Sequence, residues 1–361
     1  MAYPTPYTDT ATTNFNNLLV ALVNRNIVEN LRTQPRWLQP GAYVEAKIIP
    51  GTDRVRFPGY GDLTVDDSLV TTEGVPNSPE EMTIGYEDVQ ALQRMRTVTL
   101  TDLGVERSPH ELYSIAAERV SFNALEVADF VAAKAIVNQE LAGTQLYLAP
   151  PSSGTVVFGA DEDTITTASI LDGNTVKRMV ALMKKANIPT FPDGFYRAMI
   201  DPNVVYDLMN DTAVGGWIEA SKYANPEQLL NGEIGRIAGC RFIESNRSEV
   251  ILAASSITAK NAGILAVNDD EANSNAGSVP WYRTVFYGPN YFSFGDLQTV
   301  RPYMVGLAPD KADPAGQFST VSWKGMYGHH IFGQTTQVTE AGSRFRILNH
   351  GGRVLTGVTT T

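Results

Sequence analysis

The sequence predicts an α+β protein, on three observations. One helix-forming run near residues 108–143 is far longer than a globular domain needs. Strand-like runs cluster in blocks on either side of it, at 43–100 and beyond 300. Between 161 and 300, short helices and apolar strands alternate. With 361 residues, 43% hydrophobic and 19% charged, the chain supports a core divided over two or three lobes. Disorder, a collagen-like chain and a coiled coil are excluded by this balance. The 30 Gly and 20 Pro are spread along the whole length, so many turns are expected.

The first dozen residues are rich in Thr, Pro and Tyr and read as a flexible arm. A helix is expected over 14–31, with Leu18, Leu19, Leu22, Val23 and Ile27 on one side, stopped by Pro35 and Pro40-Gly41. The stretch from Tyr43 to Leu100 holds brief strand runs, AYVEAKII and DRVRF, then turn clusters, then the alternating run LQRMRTVTLTDL. It reads as a long hairpin arm. Such an arm buries little by itself, and so long an irregular excursion in a compact domain is usually functional. It is expected to pack on something outside its own subunit.

The long helix follows. Ser108-Pro109-His110-Glu111 has the form of a capping box, with Ser108 accepting from the Glu111 amide and Pro109 at N1. The run then continues without Gly or Pro to Gly143, a good C′ residue. Roughly 33 residues at about 1.5 Å each give a helix of about 50 Å. Its apolar residues drift around the axis with no strict heptad, so it reads as a packed spine.

Past the acidic loop at Asp161-Glu162-Asp163, a helix is expected over Asn174–Lys185. A buried strand follows at 195–200, then a helix over NVVYDLMN capped by Asp201-Pro202, and strands at 240–245, 263–268 and 281–288. Two further strand blocks, GQFSTVSWKGMYGHHIF and SRFRILN, precede a Gly/Thr-rich tail, HGGRVLTGVTTT, expected to fray.

Charge and motif content exclude several functions. The net charge is −11, so an overall basic nucleic-acid footprint is absent. Residues 1–60 carry six Lys/Arg against four Asp/Glu and residues 301–361 six against three, so the middle holds the whole acidic excess. Basic ends and acidic middle are suited to meet on neighbouring copies. No window is apolar enough to span a membrane, and the N-terminus shows no export signal. The single cysteine, Cys240, excludes a disulfide framework within the chain. Together these read as a soluble protein made in a reducing cytosol.

No phosphate-cradling glycine loop, zinc-protease motif or nucleophile elbow is present. His329 and His330 are adjacent on an expected strand, where their side chains diverge, which disfavours a shared metal. His110 reads as a solvated cap neighbour. Cys240 lies in an apolar strand and reads as a buried, inert thiol. The aromatic cluster from Trp281 to Phe294 alternates like a strand and reads as packing rather than a base-stacking platform. No catalytic, cofactor-binding or metal-binding residue is assigned, and no cofactor is expected.

Four blocks of sequence resemble the major capsid proteins of tailed bacteriophages, most nearly the subgroup typified by the coat protein of the podovirus N-four. In residues 195–245, Asp201-Pro202, Tyr223, Asn231-Gly232-Glu233-Ile234-Gly235 and Gly239-Cys240-Arg241-Phe242 follow the family's order of strand, helix, turn and strand. The aromatic run at 281–288 is the second block. The third is DPAGQFSTVSWKGMYG, with Asp313, Pro314, Trp323, Lys324 and Gly328 at motif positions. The fourth is Leu100-Thr101-Asp102 ahead of the long helix. The family's Pro-Gly-x-Gly turn is here only Gln39-Pro40-Gly41.

The resemblance implies a tailed-phage major capsid fold. Its parts would be an N-terminal arm (1–42), an extended β-hairpin loop (43–100), a peripheral domain built on the spine helix (101–160 with 301–350), an axial α/β domain (161–300) and a C-terminal tail (351–361). It implies a non-enzymatic shell subunit that self-assembles into hexamers and pentamers of an icosahedral capsid around double-stranded DNA, in a virion built in the bacterial cytoplasm. Implied partners are other copies of the chain, a portal, decoration proteins and a scaffold, either a separate protein or a segment removed before this numbering, with no membrane. An encapsulin-like, cargo-enclosing compartment is the alternative on the same fold. A soluble α/β enzyme or binding module is the alternative from another class.

Overall fold

The structure is a computed structural model. It describes residues 36–60, 63, 73–74, 79–82, 84–108, 111–137, 144–152, 155–159, 164–166, 168–211, 233–245, 250–251, 281–307, 314–333 and 343–352. The expected helix at 14–31, the strand at 263–268, and Pro109, Tyr223 and Asp313 lie outside them.

Two sheets carry the architecture. In the first, β1 (Tyr43–Lys47), β12 (Phe292–Val305), β13 (Phe318–Ile331) and β4 (Leu92–Thr101) lie in that order. β1 runs parallel to β12 and the other pairs are antiparallel. β13 alternates buried and half-buried residues along most of its length, as a strand with one covered face must. Val321, Trp323 and Tyr327 turn toward the long helix and meet its Ala116, Val120 and Ala124. The small helix residues let the aromatic side chains approach, and Trp323 Nε1 donates to Asn123 Oδ1 at 3.1 Å.

The second sheet has eight strands. Seven follow the order β6 (Phe158–Gly159), β5 (Gln145–Leu148), β14 (Phe345–Gly351), β11 (Trp281–Tyr287), β7 (Tyr196–Ile200), β9 (Cys240–Glu244) and β8 (Glu233–Ile237). The eighth, β10 (Val250–Ile251), also pairs with β11. Helices α3 (Gly173–Lys185) and α4 (Pro202–Met209) cover one face, packing Val176, Met179, Met183, Val204 and Leu208 on Tyr196, Phe242 and Phe286. Both start on an aspartate cap: Asp172 Oδ1 accepts from Thr175 N at 2.7 Å, and Asp201 Oδ1 from Asn203 N at 2.8 Å, with Pro202 opening α4.

The long helix, α2 (Leu112–Val137), joins the sheets. Its first half lies on the four-stranded sheet, and Ala132, Ala133 and Ile136 pack with Met199, Val285, Phe345 and Ile347 of the eight-stranded one. Because it has two partners on different sides, its apolar residues wrap the axis instead of forming one stripe.

Several expectations are corrected. The helix has 26 residues, about 39 Å at about 1.5 Å per residue, and begins at Leu112. Ser108 is the C-cap of a short preceding helix, α1 (Asp102–Arg107), whose own N-cap is Thr101. The first turn of α2 closes on the Glu111 carbonyl, which accepts from Ile115 N at 3.2 Å. Glu111 therefore stands at the cap rather than three residues inside, as the capping box required. The proline after Ser108 holds that residue extended (ψ 132°), separating the two helices.

β1 and β4 are not hairpin strands, because each finds a long-range partner in the first sheet. The independent hairpin is β2 (Arg54–Tyr60) with β3 (Ile84–Gln90). Glu233 to Ile237 is a strand rather than a turn. His350 and Gly351, expected to fray, are buried in β14. The division at residue 300 matches neither sheet: β12 crosses it, and β14 lies in the sheet of β7.

Candidate functional site

The hairpin β2–β3 is the feature with the least internal justification. Its seven pairs run from Arg54↔Gln90 at the root to Tyr60↔Ile84 at the outer end. The root is locked down. Val89 is fully buried, and a Cβ at Gly295 would come within 2.7 Å of it. A Cβ at Gly328 would collide with the Gln90 carbonyl oxygen, so the family-motif glycine is required by close approach of the hairpin backbone.

Glu87, 3% exposed, reaches from the hairpin to the end of β13. Its Oε2 lies 3.2 Å from His330 Nε2, and its Oε1 accepts from Gly333 N at 2.8 Å. Phe57 and Phe332 add an edge-to-face contact at 5.3 Å. Beyond the root, Tyr60, Met82, Ile84 and Tyr86 are each at least half exposed. On the hairpin surface Arg56 Nε donates to Asp88 Oδ1 at 2.8 Å, and its guanidinium lies over the Tyr86 ring.

The histidine pair diverges as the strand period requires. His330 faces Glu87, while His329 lies among Phe294, Phe292 and Tyr327. Burial pushes His329 down to about 4, with Arg94 adding to the shift. Burial does the same to His350, whose Nδ1 lies 2.8 Å from the Gly351 carbonyl and whose Nε2 lies 2.8 Å from Thr284 Oγ1. Cys240 is fully buried, which holds its thiol well above the ordinary range and removes the thiolate that nucleophilic chemistry needs. Among the described residues no group of three or more His, Cys, Asp and Glu is placed to hold a metal.

Most of the remaining motif positions lie at caps, turns and packing contacts. Asp201 caps α4 and is pushed up to about 6, first by burial and then by the neighbouring Glu244. Gly235 sits at the register shift of β8. Gly239 and Ala238 both have positive φ and make the two-residue turn into β9. Trp323 fills the helix–sheet core, whereas Lys324 points to the opposite face. Pro314 opens the described segment ahead of β13.

Sequence reasoning missed Glu87 and Asp129. Asp129, fully buried in α2, accepts from the Trp37 backbone N–H at 2.8 Å and ties that residue to the helix. The alternation Gly85, Glu87, Val89, one face of a strand, was the available signal for the first. Nothing in the helix run marked the second.

A strand-rich body on one long helix, two sheets and a projecting hairpin match known structures end to end. The capsid of Ralstonia phage GP4 is similar at a TM-score of 0.61 and 13% identity, over 99% of this chain and 100% of that one. The capsid of cyanophage P-SCSP1u is similar at 0.59 and 14%, over 98% and 100%. That of the Helicobacter pylori bacteriophage KHP30 follows at 0.57 and 12%, over 97% and 100%. This is the tailed-phage capsid fold. No model of a known protein family matches the sequence, and no curated protein does. The likeness is to the capsid fold as a whole and does not single out the N-four-like subgroup. In this chain the fold rests on close packing at positions such as Gly328 and Trp323.

Proposed function

We propose that this chain is the shell subunit of a bacteriophage capsid, assembling with copies of itself into hexamers and pentamers around double-stranded DNA in the virion. The observation that carries this reading is the hairpin: it is clamped to the body at its root and leaves Tyr60, Met82, Ile84 and Tyr86 at least half exposed. Apolar surface held out on a rigid stalk marks an interaction site, and on a capsid fold the interaction is shell assembly. A scaffolding protein or segment, a portal and decoration proteins are the accessory partners of that role. The division into arm, extended loop, peripheral domain, axial domain and tail belongs to the same proposal, with the loop narrowed to the β2–β3 hairpin, the peripheral–axial boundary moved off residue 300, and the tail beginning after β14. The test is to express the chain with and without its scaffold and examine the product by negative-stain microscopy. Closed shells of uniform size are expected, and nuclease-protected double-stranded DNA in particles from infected cells. A protein that stays monomeric under every condition, with its scaffold present, would sink the proposal.

A further inference from the structure

The chain is acidic as a whole, but one face of α3 is the reverse. From Gly173 to Pro192 the sequence carries four Lys or Arg and no Asp or Glu. Lys177, Arg178, Lys184 and Lys185 are exposed, together with Asn174 and Ala181, while Val176, Met179, Val180 and Met183 are buried. At about 100° per residue these exposed positions fall within about 120° of the helix circumference. The bases therefore form a single stripe, with the small Ala181 at its centre.

No carboxylate among the described residues pairs with the stripe. Asp172 and Asp211 accept from the first turn of α3 at 2.7 and 2.8 Å, and Asp193, the next acid along the chain, lies 3.3 Å from Arg241. At the last turn a hollow of about 280 Å³ opens between Leu146, Leu182, Lys185, Ala186 and Arg346. Arg346 is partly buried there. Its Nη1 donates to the Phe345 carbonyl at 2.7 Å and to Ser343 Oγ at 3.1 Å, and it meets no carboxylate among the described residues. Burial lowers its pKa, so an anion entering the hollow would offset a desolvation cost that the fold otherwise carries. A guanidinium held in place by neutral acceptors, with the rest of its fork unused, is prepared for such an anion.

The surface has the character of a nucleic-acid interface. None of the exposed large apolar side chains among the described residues lies on α3, whereas a protein interface has an apolar centre. Protein–DNA interfaces are more polar and far more positive. From Lys177 to Lys185 the stripe is about 12 Å long at about 1.5 Å per residue, and one strand of a duplex presents a phosphate about every 3.4 Å along its axis, so it spans about three or four of them. We infer that this stripe, with Arg346 at its end, binds the phosphate backbone of double-stranded DNA without regard to base sequence and marks the side of the subunit that faces the enclosed genome. The inference rests on the proposed shell for the presence of DNA. It adds which face of the eight-stranded sheet is turned inward: the one that α3 and α4 cover.

The unassembled subunit is titrated into a labelled mixed-sequence duplex of about 20 base pairs, and binding is followed by anisotropy as salt rises. Four phosphates neutralised give a slope of log affinity against log salt of about −4, or about a hundredfold loss from about 0.05 to about 0.2 M. Lys177→Gln, Arg178→Gln, Lys184→Gln and Lys185→Gln together should weaken binding by about tenfold or more at low salt and remove most of that slope. Lys177→Arg, Lys184→Arg and Lys185→Arg together should preserve both. Should the fourfold variant fail to fold, Lys184→Gln with Lys185→Gln must still reduce the slope by about 2. A slope that neither variant changes would overturn the assignment. So would a polyglutamate chain of equal charge that binds more tightly than the duplex, which would give the stripe to an acidic protein. The direction of the stripe is read in closed shells. Ala181→Cys places a thiol at its centre, and the native Cys240 is buried. A bulky polymer maleimide should label this thiol in the free subunit and in ruptured shells, and not in intact ones. Labelling of intact shells would put the stripe outside, and protection in ruptured shells would put it between subunits. Either result overturns the inference and leaves the shell reading intact. Should no shells form, the shell reading fails, and the duplex titration still decides whether the stripe binds phosphate.

Discussion

Glu87 shows how one side chain converts a marginal hairpin into a fixed projection. A two-stranded ribbon alone is barely stable in water. Here a nearly buried carboxylate satisfies the Gly333 amide and the His330 ring together. Glu87→Ala leaves a buried N–H unpaired and should cost about 1–3 kcal/mol, read as a lower midpoint in a denaturant melt, with Glu87→Gln recovering part of the loss. A second residue-scale expectation concerns acid. His329 and His350 are held down to about 4 from 6.5, so their contribution is complete above pH 6.5 and is lost as pH falls through 4. Asp201 works in the opposite sense: raised to about 6 from 3.8, it favours the folded state at low pH and loses that effect as pH rises through 6. Two histidines outweigh one carboxyl by on the order of 4 kcal/mol, so the unassembled subunit should lose stability between pH 6.5 and 4. His350→Gln should flatten that slope, and a midpoint constant across this range would refute the balance.

At the scale of elements, what the sequence made legible depended on where each element's partner lies. The long helix, the helices near Asn174–Lys185 and after Asp201-Pro202, and β7, β11 and β13 could be read because local pattern decides them. β1 and β4 were assigned to the hairpin because alternation identifies a strand but not the strand it pairs with, and their partners lie more than 200 residues away. The tail was misread at its start because Gly351 and Gly352 signal a loose end in sequence. In the fold they permit close approach, since a Cβ at either would collide with Thr166 or Tyr282. Of the candidate site, an arm that packs outside its own subunit was foreseeable, whereas its exposed apolar residues and the Glu87 clasp needed the structure. The hairpin's outer end should be separable from folding. Tyr60 and Ile84 are directly paired, so residues 61–83 can be replaced by Asn-Gly, the two-residue turn such a pair accepts. The shortened subunit should melt as the parent does, because Leu63 and Met82 at the described positions of this segment are exposed, and it should fail to form closed shells. Normal shells from this variant would show that the arm has another purpose.

For the whole molecule, the decisive property is that charge is distributed unevenly while the net value, −11, is large. Net repulsion opposes association, and docking that sets basic surfaces against acidic ones offsets it. Each exposed pair contributes about 0–1 kcal/mol and is screened with a Debye length of about 10 Å at 0.1 M salt. Within one subunit such small terms hardly matter, because stability rests on the aromatic and aliphatic packing on both faces of the eight-stranded sheet and beneath α2. In a shell the same contact recurs in every copy, so a fraction of a kcal/mol per contact moves the concentration at which assembly begins. Salt acts on both sides of that balance: it weakens the specific pairing at close range and relieves the general repulsion at longer range. General repulsion acts over distances beyond the Debye length and is screened first, whereas pairs in contact persist to higher salt. Assembly followed by light scattering should therefore be promoted at low added salt and suppressed at high salt, passing through a maximum. The melting midpoint of the unassembled subunit should stay nearly constant over the same titration. A monotonic response, or a midpoint that tracks the scattering, would mean that charge acts on the fold of the subunit rather than on the meeting of its copies.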